Sequence, residues 1–113
     1  MSLEIMQREV DGIYLLTLSG RLVLGEESNG VRGTMEKLLA SGASRIVINL
    51  EQVNYVDSAG LGTLIEVHRK TKAKGGRLML CHIRPNLKQA LTIAGLLPLF
   101  ETSPTEADAV ASF

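Results

Sequence analysis

The chain has 113 residues, enough for one hydrophobic core and too few for two ordinary domains. Lys and Arg number 12, as do Asp and Glu, and the one basic run, HRKTKAK, fits a solvated helix end, so a nucleic-acid partner is not expected. Hydrophobic residues make up 45%, which excludes an extended disordered chain. No apolar run approaches about 20 residues and no export or lipidation motif is present, so we expect a cytoplasmic protein without membrane insertion.

A β-hairpin is predicted at the start of the chain. Residues 3–10 and 13–20 flank Asp11-Gly12, a dipeptide that suits a tight type I′ turn because both positions tolerate positive φ. Gly20 is expected to end the second strand.

The next predicted elements are a helix and a central strand. Residues 26–40 carry apolar side chains at helical spacing, and Gly42 stands where a left-handed residue ends a helix. The run RIVINL, residues 45–50, is β-branched and nearly continuous, as expected for a strand covered on both faces.

Alternating elements continue through the second half of the chain. After residues 54–57 a helix is predicted, ending at Gly75-Gly76, then a buried strand, RLMLCHI. Pro85 suits the first turn of a third helix that Gly95 closes. The expected apolar stripes are Leu61, Leu64, Ile65 and His68 on the second helix and Leu87, Ala90, Leu91 and Ala94 on the third.

The C-terminal segment predicts a brief strand near Leu99-Phe100 and a last helix. Ser103 as N-cap, Pro104 at N1 and Glu106 at N3 fit a capping box. The whole pattern predicts an α/β fold in a single domain, residues 1–113, with a mixed sheet of about 4–5 strands and about 4 helices.

Metal and cofactor chemistry are disfavoured. His68, His82 and Cys81 lie on separate predicted elements and lack the paired spacing of a metal site. His68 reads as a partly buried member of a helix stripe, His82 as a strand end, and Cys81 as a small buried hydrophobe. We expect no metal and no cofactor.

The junction NYVDSAGLGTLIEV, residues 54–67, has the context of a nucleotide loop but not its pattern. Gly60 and Gly62 follow a strand and open a helix, yet Ile65 occupies the third glycine position of a dinucleotide fingerprint. No acidic residue ends the next strand, and there is no phosphate-binding loop. Nucleotide binding at this turn is therefore not expected.

A hydrolase centred on Ser58 is also disfavoured. The nucleophile-elbow glycines are missing, and His68 lies about 15 Å down the helix at about 1.5 Å per residue. Two interpretations of Ser58 remain open: Asp57 or Ser58 caps the helix, or Ser58 receives a phosphoryl group, which a helix N-terminus favours electrostatically.

Five segments of the chain carry a resemblance to a known family. They are GRL (residues 20–22), RIVINL (45–50), VDSAGLG (56–62), KGGRLML (74–80) and LTIAGLLPLF (91–100). In order and spacing they resemble the STAS domain of bacterial anti-sigma factor antagonists. The resemblance covers nearly the whole chain, and VDSAGLG is its most specific part.

This resemblance implies a regulatory role without catalysis. Ser58 corresponds to the phosphoacceptor, and Ala59 at the neighbouring position leaves only one hydroxyl there. The unphosphorylated domain is expected to bind a serine kinase that doubles as anti-sigma factor, phosphorylation to release it, and a phosphoserine phosphatase to reset the cycle. Asp57 is expected to cap or orient, Gly60 and Gly62 to permit close approach, and Leu61 to belong to the same surface.

One segment departs from the family pattern. Many members carry Gly-Glu-Leu-Asp after the second strand, where this chain has Gly20 followed by Arg21, Leu22 and Val23. A cation and an apolar residue thus replace an acidic pair on the expected partner-binding surface. The alternative hypothesis is a scaffold or regulatory subunit, without a switch, of a stressosome-like or transporter assembly.

Overall fold

The computed structural model describes residues 3–113, which build one five-stranded sheet with helices on both faces. Along the chain the elements are β1 (Leu3–Val10), β2 (Ile13–Leu22), α1 (Glu26–Ala40), β3 (Arg45–Val56), α2 (Ser58–Ala73), β4 (Arg77–Cys81), α3 (Pro85–Ile93), a single 3-10 turn (Leu97–Leu99), β5 (Glu101–Ser103) and α4 (Glu106–Ala111). β1 is antiparallel to β2, and β2 to β5 are parallel in the spatial order β1-β2-β3-β4-β5. The predicted α/β class with a mixed sheet is confirmed.

The hairpin forms as predicted, but its second strand is longer. Asp11 and Gly12 have φ of 53° and 78°, as a tight turn between paired β1 and β2 requires. β2 does not end at Gly20. That residue has φ of 119° beside a register shift, so the strand bulges and continues to Leu22.

Three other strands differ from the sequence prediction. β4 ends at Cys81, two residues before the end of the predicted run RLMLCHI, and the following His82 has a φ of 53°. β3 runs to Val56 rather than to Leu50, because its second half pairs with the extension of β2. β5 begins at Glu101, since the preceding residues 97–99 form the 3-10 turn rather than a strand. β3 therefore projects beyond β4, whose last pair with it is Asn49 with Cys81.

Alternation along the strands produces two apolar layers. On one face, Ile46, Ile48 and Leu50 of β3 pack with the larger core beneath α1, α2 and α3. On the other face, Val47 joins a smaller cluster completed by Ala109 of α4. β3 is thus covered on both sides, as RIVINL predicts.

The buried face of α2 is rotated from the predicted stripe. Leu64 is fully buried, whereas Leu61, Ile65 and His68 are half-buried. The buried positions of α2 are Gly60, Thr63, Leu64, Val67 and Thr71. On α3 only the two leucines of the predicted stripe are buried, and Ala90 and Ala94 are exposed.

The capping box predicted for α4 was wrong. Ser103 lies in β5 opposite Cys81, so the chain is still extended there and the helix begins later. Thr105 is the N-cap instead, and its hydroxyl accepts from the Asp108 N–H at 3.1 Å.

The residues considered above as metal ligands or reactive groups can now be placed in the fold of residues 3–113. No group of three His, Cys, Asp or Glu side chains in this range is arranged to hold a metal ion. Cys81 is buried, and burial raises the pKa of its thiol to about 12, so it stays protonated at neutral pH. Over the same residues, no helix has the length and apolar character that a bilayer span needs.

Candidate functional site

The candidate site lies where the ends of β2 and β3 meet the start of α2. Leu22 pairs with Val56 at the end of the parallel ladder, and the Asp57 N–H donates to the Leu22 carbonyl at 3.2 Å. At Gly60 the helix backbone approaches this carbonyl so closely that an added Cβ would lie 2.1 Å from the Leu22 oxygen. Gly60 therefore sets the contact between α2 and β2.

Asp57 is the N-cap of α2. The sequence had left either Asp57 or Ser58 as the capping residue. Its Oδ1 accepts from the Gly60 N–H at 2.7 Å, and its Oδ2 accepts from the Leu24 N–H at 3.0 Å. The hydrogen bond from the Gly60 N–H, and to a smaller extent the one from the Leu24 N–H, holds the pKa of the Asp57 carboxyl below its usual value. Asp57 is thus an anion near neutral pH and ties the β2–α1 loop to the helix.

Ser58 follows as the first residue of α2 and is exposed. Among residues 3–113, no group makes a hydrogen bond or ion pair with its hydroxyl. Ala59 beside it has no hydroxyl, and no acidic residue lies in the first turn of the helix. The Ser58 hydroxyl is therefore exposed and without a hydrogen-bond partner among these residues, at the positive end of a helix dipole.

Exposed side chains lie on the strand ends and on the loop that adjoin Asp57, the residue before Ser58. The Arg21 guanidinium lies 5.3 Å from the centroid of the Tyr55 ring, a cation–π contact between paired residues of β2 and β3. Tyr55 is 49% exposed and Leu24 is 75% exposed. Together with Ser58 and the half-buried Leu61, we call these residues the Ser58 face.

Three other residues predicted for the site, Leu22, Val23 and Gly62, are not part of the Ser58 face. Leu22 is fully buried, and the Val23 carbonyl accepts from the Ser28 hydroxyl at 2.7 Å, which anchors the loop to α1. Gly62 is exposed, and a Cβ there would meet nothing within 4 Å. The close packing of α2 against β2 therefore requires glycine at position 60 but not at position 62.

Sequence reasoning missed Leu24 and Tyr55 as members of the face. Leu24 was hidden because it follows the predicted strand end, and its N–H reaches Asp57 only through tertiary contact. Tyr55 lies in the second half of β3, beyond the predicted strand RIVINL, which ends at Leu50. The apolar Val53 and aromatic Tyr55 at alternate positions were the available signal.

Comparison with known proteins assigns the family. The model for the STAS domain matches residues 4–109. The chain belongs to the STAS domain family. This confirms the resemblance seen in its five sequence segments.

Named relatives and solved structures agree with this STAS assignment. The chain is 26% identical to BtrV of Bordetella bronchiseptica over 105 residues, which cover 93% of this chain and 90% of that protein. It is 27% identical to the anti-sigma F factor antagonist of Paenibacillus polymyxa over 111 residues, covering 97% and 94% of the two chains. The fold matches unphosphorylated SpoIIAA with a TM-score of 0.76 at 20% identity over 96% of each chain. It also matches phosphorylated SpoIIAA of Bacillus with a TM-score of 0.76 at 23% identity, over 96% of this chain and 98% of that one.

Proposed function

We propose that this STAS domain is an anti-sigma factor antagonist in which phosphorylation of Ser58 switches binding to an anti-sigma factor serine kinase. The observation that carries the proposal is the exposed, unbonded Ser58 hydroxyl at the N-terminus of α2. Support also comes from the named role of the Paenibacillus polymyxa relative. In this scheme a phosphoserine phosphatase returns the domain to its binding form.

The chemistry of phosphoryl transfer belongs to the partner. Both Asp57 oxygens already accept backbone hydrogen bonds, and the pKa of this carboxyl is lowered, so it is a poor general base for the neighbouring hydroxyl. His68 is packed against Phe100 with ring centroids 5.3 Å apart, far along α2. The domain acts as a substrate and ligand, not as an enzyme.

Phosphorylation is expected to act at the interface rather than on the fold. A phosphate on Ser58 gains roughly 0.3–1 kcal/mol from the helix dipole, opposed by the Asp57 carboxylate. The equal TM-scores of this chain to the two forms of SpoIIAA, 0.76 in both cases, fit a fold that tolerates the group. Against a docked surface, however, a new dianion is strongly unfavourable unless cations meet it.

The Ser58 face indicates what the partner surface offers. Leu24 and Tyr55 provide exposed apolar area, and Arg21 adds a cation where many relatives have an acidic residue. We therefore expect the kinase to present an apolar patch flanked by an acidic group. Such a partner is a kinase diverged from those that recognise an acidic pair.

Incubation with ATP and the anti-sigma factor serine kinase of the same organism tests the switch. Mass spectrometry should locate one phosphate, on Ser58, absent from Ser58→Ala and retained in Ser44→Ala, whose exposed serine precedes β3. Ser58→Asp should weaken kinase binding by about tenfold or more, equivalent to about 1.4 kcal/mol, while Ser58→Ala binds as the wild type does.

Two results would count against this proposal. Phosphate on another residue would remove Ser58 from the mechanism. Equal binding of wild type and Ser58→Asp would indicate a constitutive scaffold without a switch.

A further inference from the structure

We propose that a second site, independent of the Ser58 face, binds a small molecule carrying a phosphate group. It is a cavity of about 430 Å³ at the carboxyl ends of β4 and β5, beside the first turn of α3. Small-molecule sites have volumes of about 300–1,000 Å³ and favour the carboxyl edge of parallel sheets. None of the residues that line it belongs to the Ser58 face.

Two cations on α3 give the cavity its charge. Arg84 is the N-cap residue of α3, Lys88 follows about one turn later, and both residues line the cavity. Arg84 donates through one terminal nitrogen to the Glu51 carbonyl at 3.2 Å, which leaves its other N–H groups available. Within residues 3–113, Lys88 makes no ion pair.

Hydroxyl groups and an acidic residue complete the polar lining. Thr102 and Ser103 of β5 also line the cavity, and a hydroxyl group there can donate to a phosphate oxygen. The one carboxylate of the lining, that of Glu51, lies 3.7 Å from the His82 Nδ1. Arg84 and Lys88 thus bring two positive charges to the cavity against the single carboxylate of Glu51, which favours an anionic ligand.

An apolar wall indicates that the ligand has an organic part. Ile83 and Leu97 also line the cavity. A phosphate bound by Arg84 and Lys88 would place its substituent near these two side chains. We therefore expect a phosphate monoester with an apolar substituent to bind more tightly than inorganic phosphate.

Nuclear magnetic resonance titrations of the isotope-labelled chain at constant ionic strength test the proposal. Phenyl phosphate should cause saturable shifts in the amides of His82, Arg84, Lys88 and Ser103, with a lower Kd than inorganic phosphate. Citrate, a carboxylate of higher negative charge at neutral pH, should nevertheless give weaker shifts. Lys88→Gln should raise the Kd for phenyl phosphate by about tenfold, whereas Lys37→Gln, an exposed lysine on α1, should leave it unchanged.

The proposal is overturned if phenyl phosphate causes no saturable shifts at these amides, or if its effects centre on other parts of the chain. Equal losses in the Lys88 and Lys37 variants would show that only overall charge matters. An equal response to citrate would exclude selectivity for phosphate. Because Lys88 is exposed, the variant should retain the dispersed spectrum of the folded protein, which the same experiment records.

Discussion

Gly60 is a residue at which helix propensity and tertiary packing oppose each other. In an isolated helix, alanine is preferred to glycine by about 1 kcal/mol. Here the missing Cβ leaves room for the Leu22 carbonyl, 2.1 Å from where that atom would lie. The contact is with backbone, so no side-chain rotation can relieve it.

Gly60→Ala should therefore destabilise the domain by about 1–3 kcal/mol, because α2 must move away from β2. The matched control is Gly62→Ala in the same helix, where a Cβ meets nothing within 4 Å. That change should stabilise the domain by about 0.5–1 kcal/mol. Urea unfolding monitored by circular dichroism measures both, and midpoints that move in the same direction would contradict this account.

At the scale of elements, α4 shows how a short helix depends on what precedes it. The helix spans only Glu106–Ala111, yet it covers the second apolar layer of the sheet through Ala109 and Val110. Because β5 keeps Ser103 extended, the first residue able to cap the helix is Thr105. The cap therefore contributes to the stability of this layer.

Thr105→Ala is expected to cost about 1 kcal/mol, since it leaves the Asp108 N–H without its side-chain acceptor. Ser103→Ala is the control, because the sequence assigns it the same role and the structure does not. It should cost clearly less in the same thermal and urea unfolding measurements. A larger loss for Ser103→Ala would place the cap at the position predicted from sequence.

At the scale of the whole molecule, stability is coupled to pH through side chains on several elements. Hydrogen bonds from backbone N–H groups to Asp57, from Arg32 to Glu66 and from Arg77 to Glu101 lower the pKa values of these carboxyls. Burial lowers the pKa of His68, an effect that Lys72 strengthens and Glu101 opposes. All of these groups favour the folded state in their deprotonated forms.

Stability should consequently fall in two stages on acidification. Below the usual His pKa of 6.5, the unfolded chain takes up a proton that folded His68 resists, so stability declines from about pH 7. The carboxylates contribute fully above their usual values of 3.8 and 4.5, and that contribution is lost as the pH falls through and below them. His68→Gln should remove much of the first decline in stability and leave the second unchanged. Urea unfolding midpoints measured as a function of pH test this expectation. An unchanged decline between pH 7 and 5.5 in this variant would be inconsistent with the assignment to His68.

The sequence alone determined the order of most elements and the position of the candidate site. Local signals suffice for these features: the Asp11-Gly12 turn, the apolar run RIVINL, and the DSAG junction between a strand and a helix. The Glu66–Lys70 pair on one helix face, with its atoms 3.1 Å apart, is likewise readable from i, i+4 spacing.

Only the tertiary structure decided which residues meet across elements. Arg32 of α1 joins Glu66 of α2 at 2.8 Å, although no local rule relates the two positions. In the same way, the bulged extension of β2 brings Leu24 to Asp57 and Arg21 to Tyr55, which completes the Ser58 face. Strand ends and helix rotation depend on the register between distant segments, and that register is set by packing of the whole core rather than by local propensity.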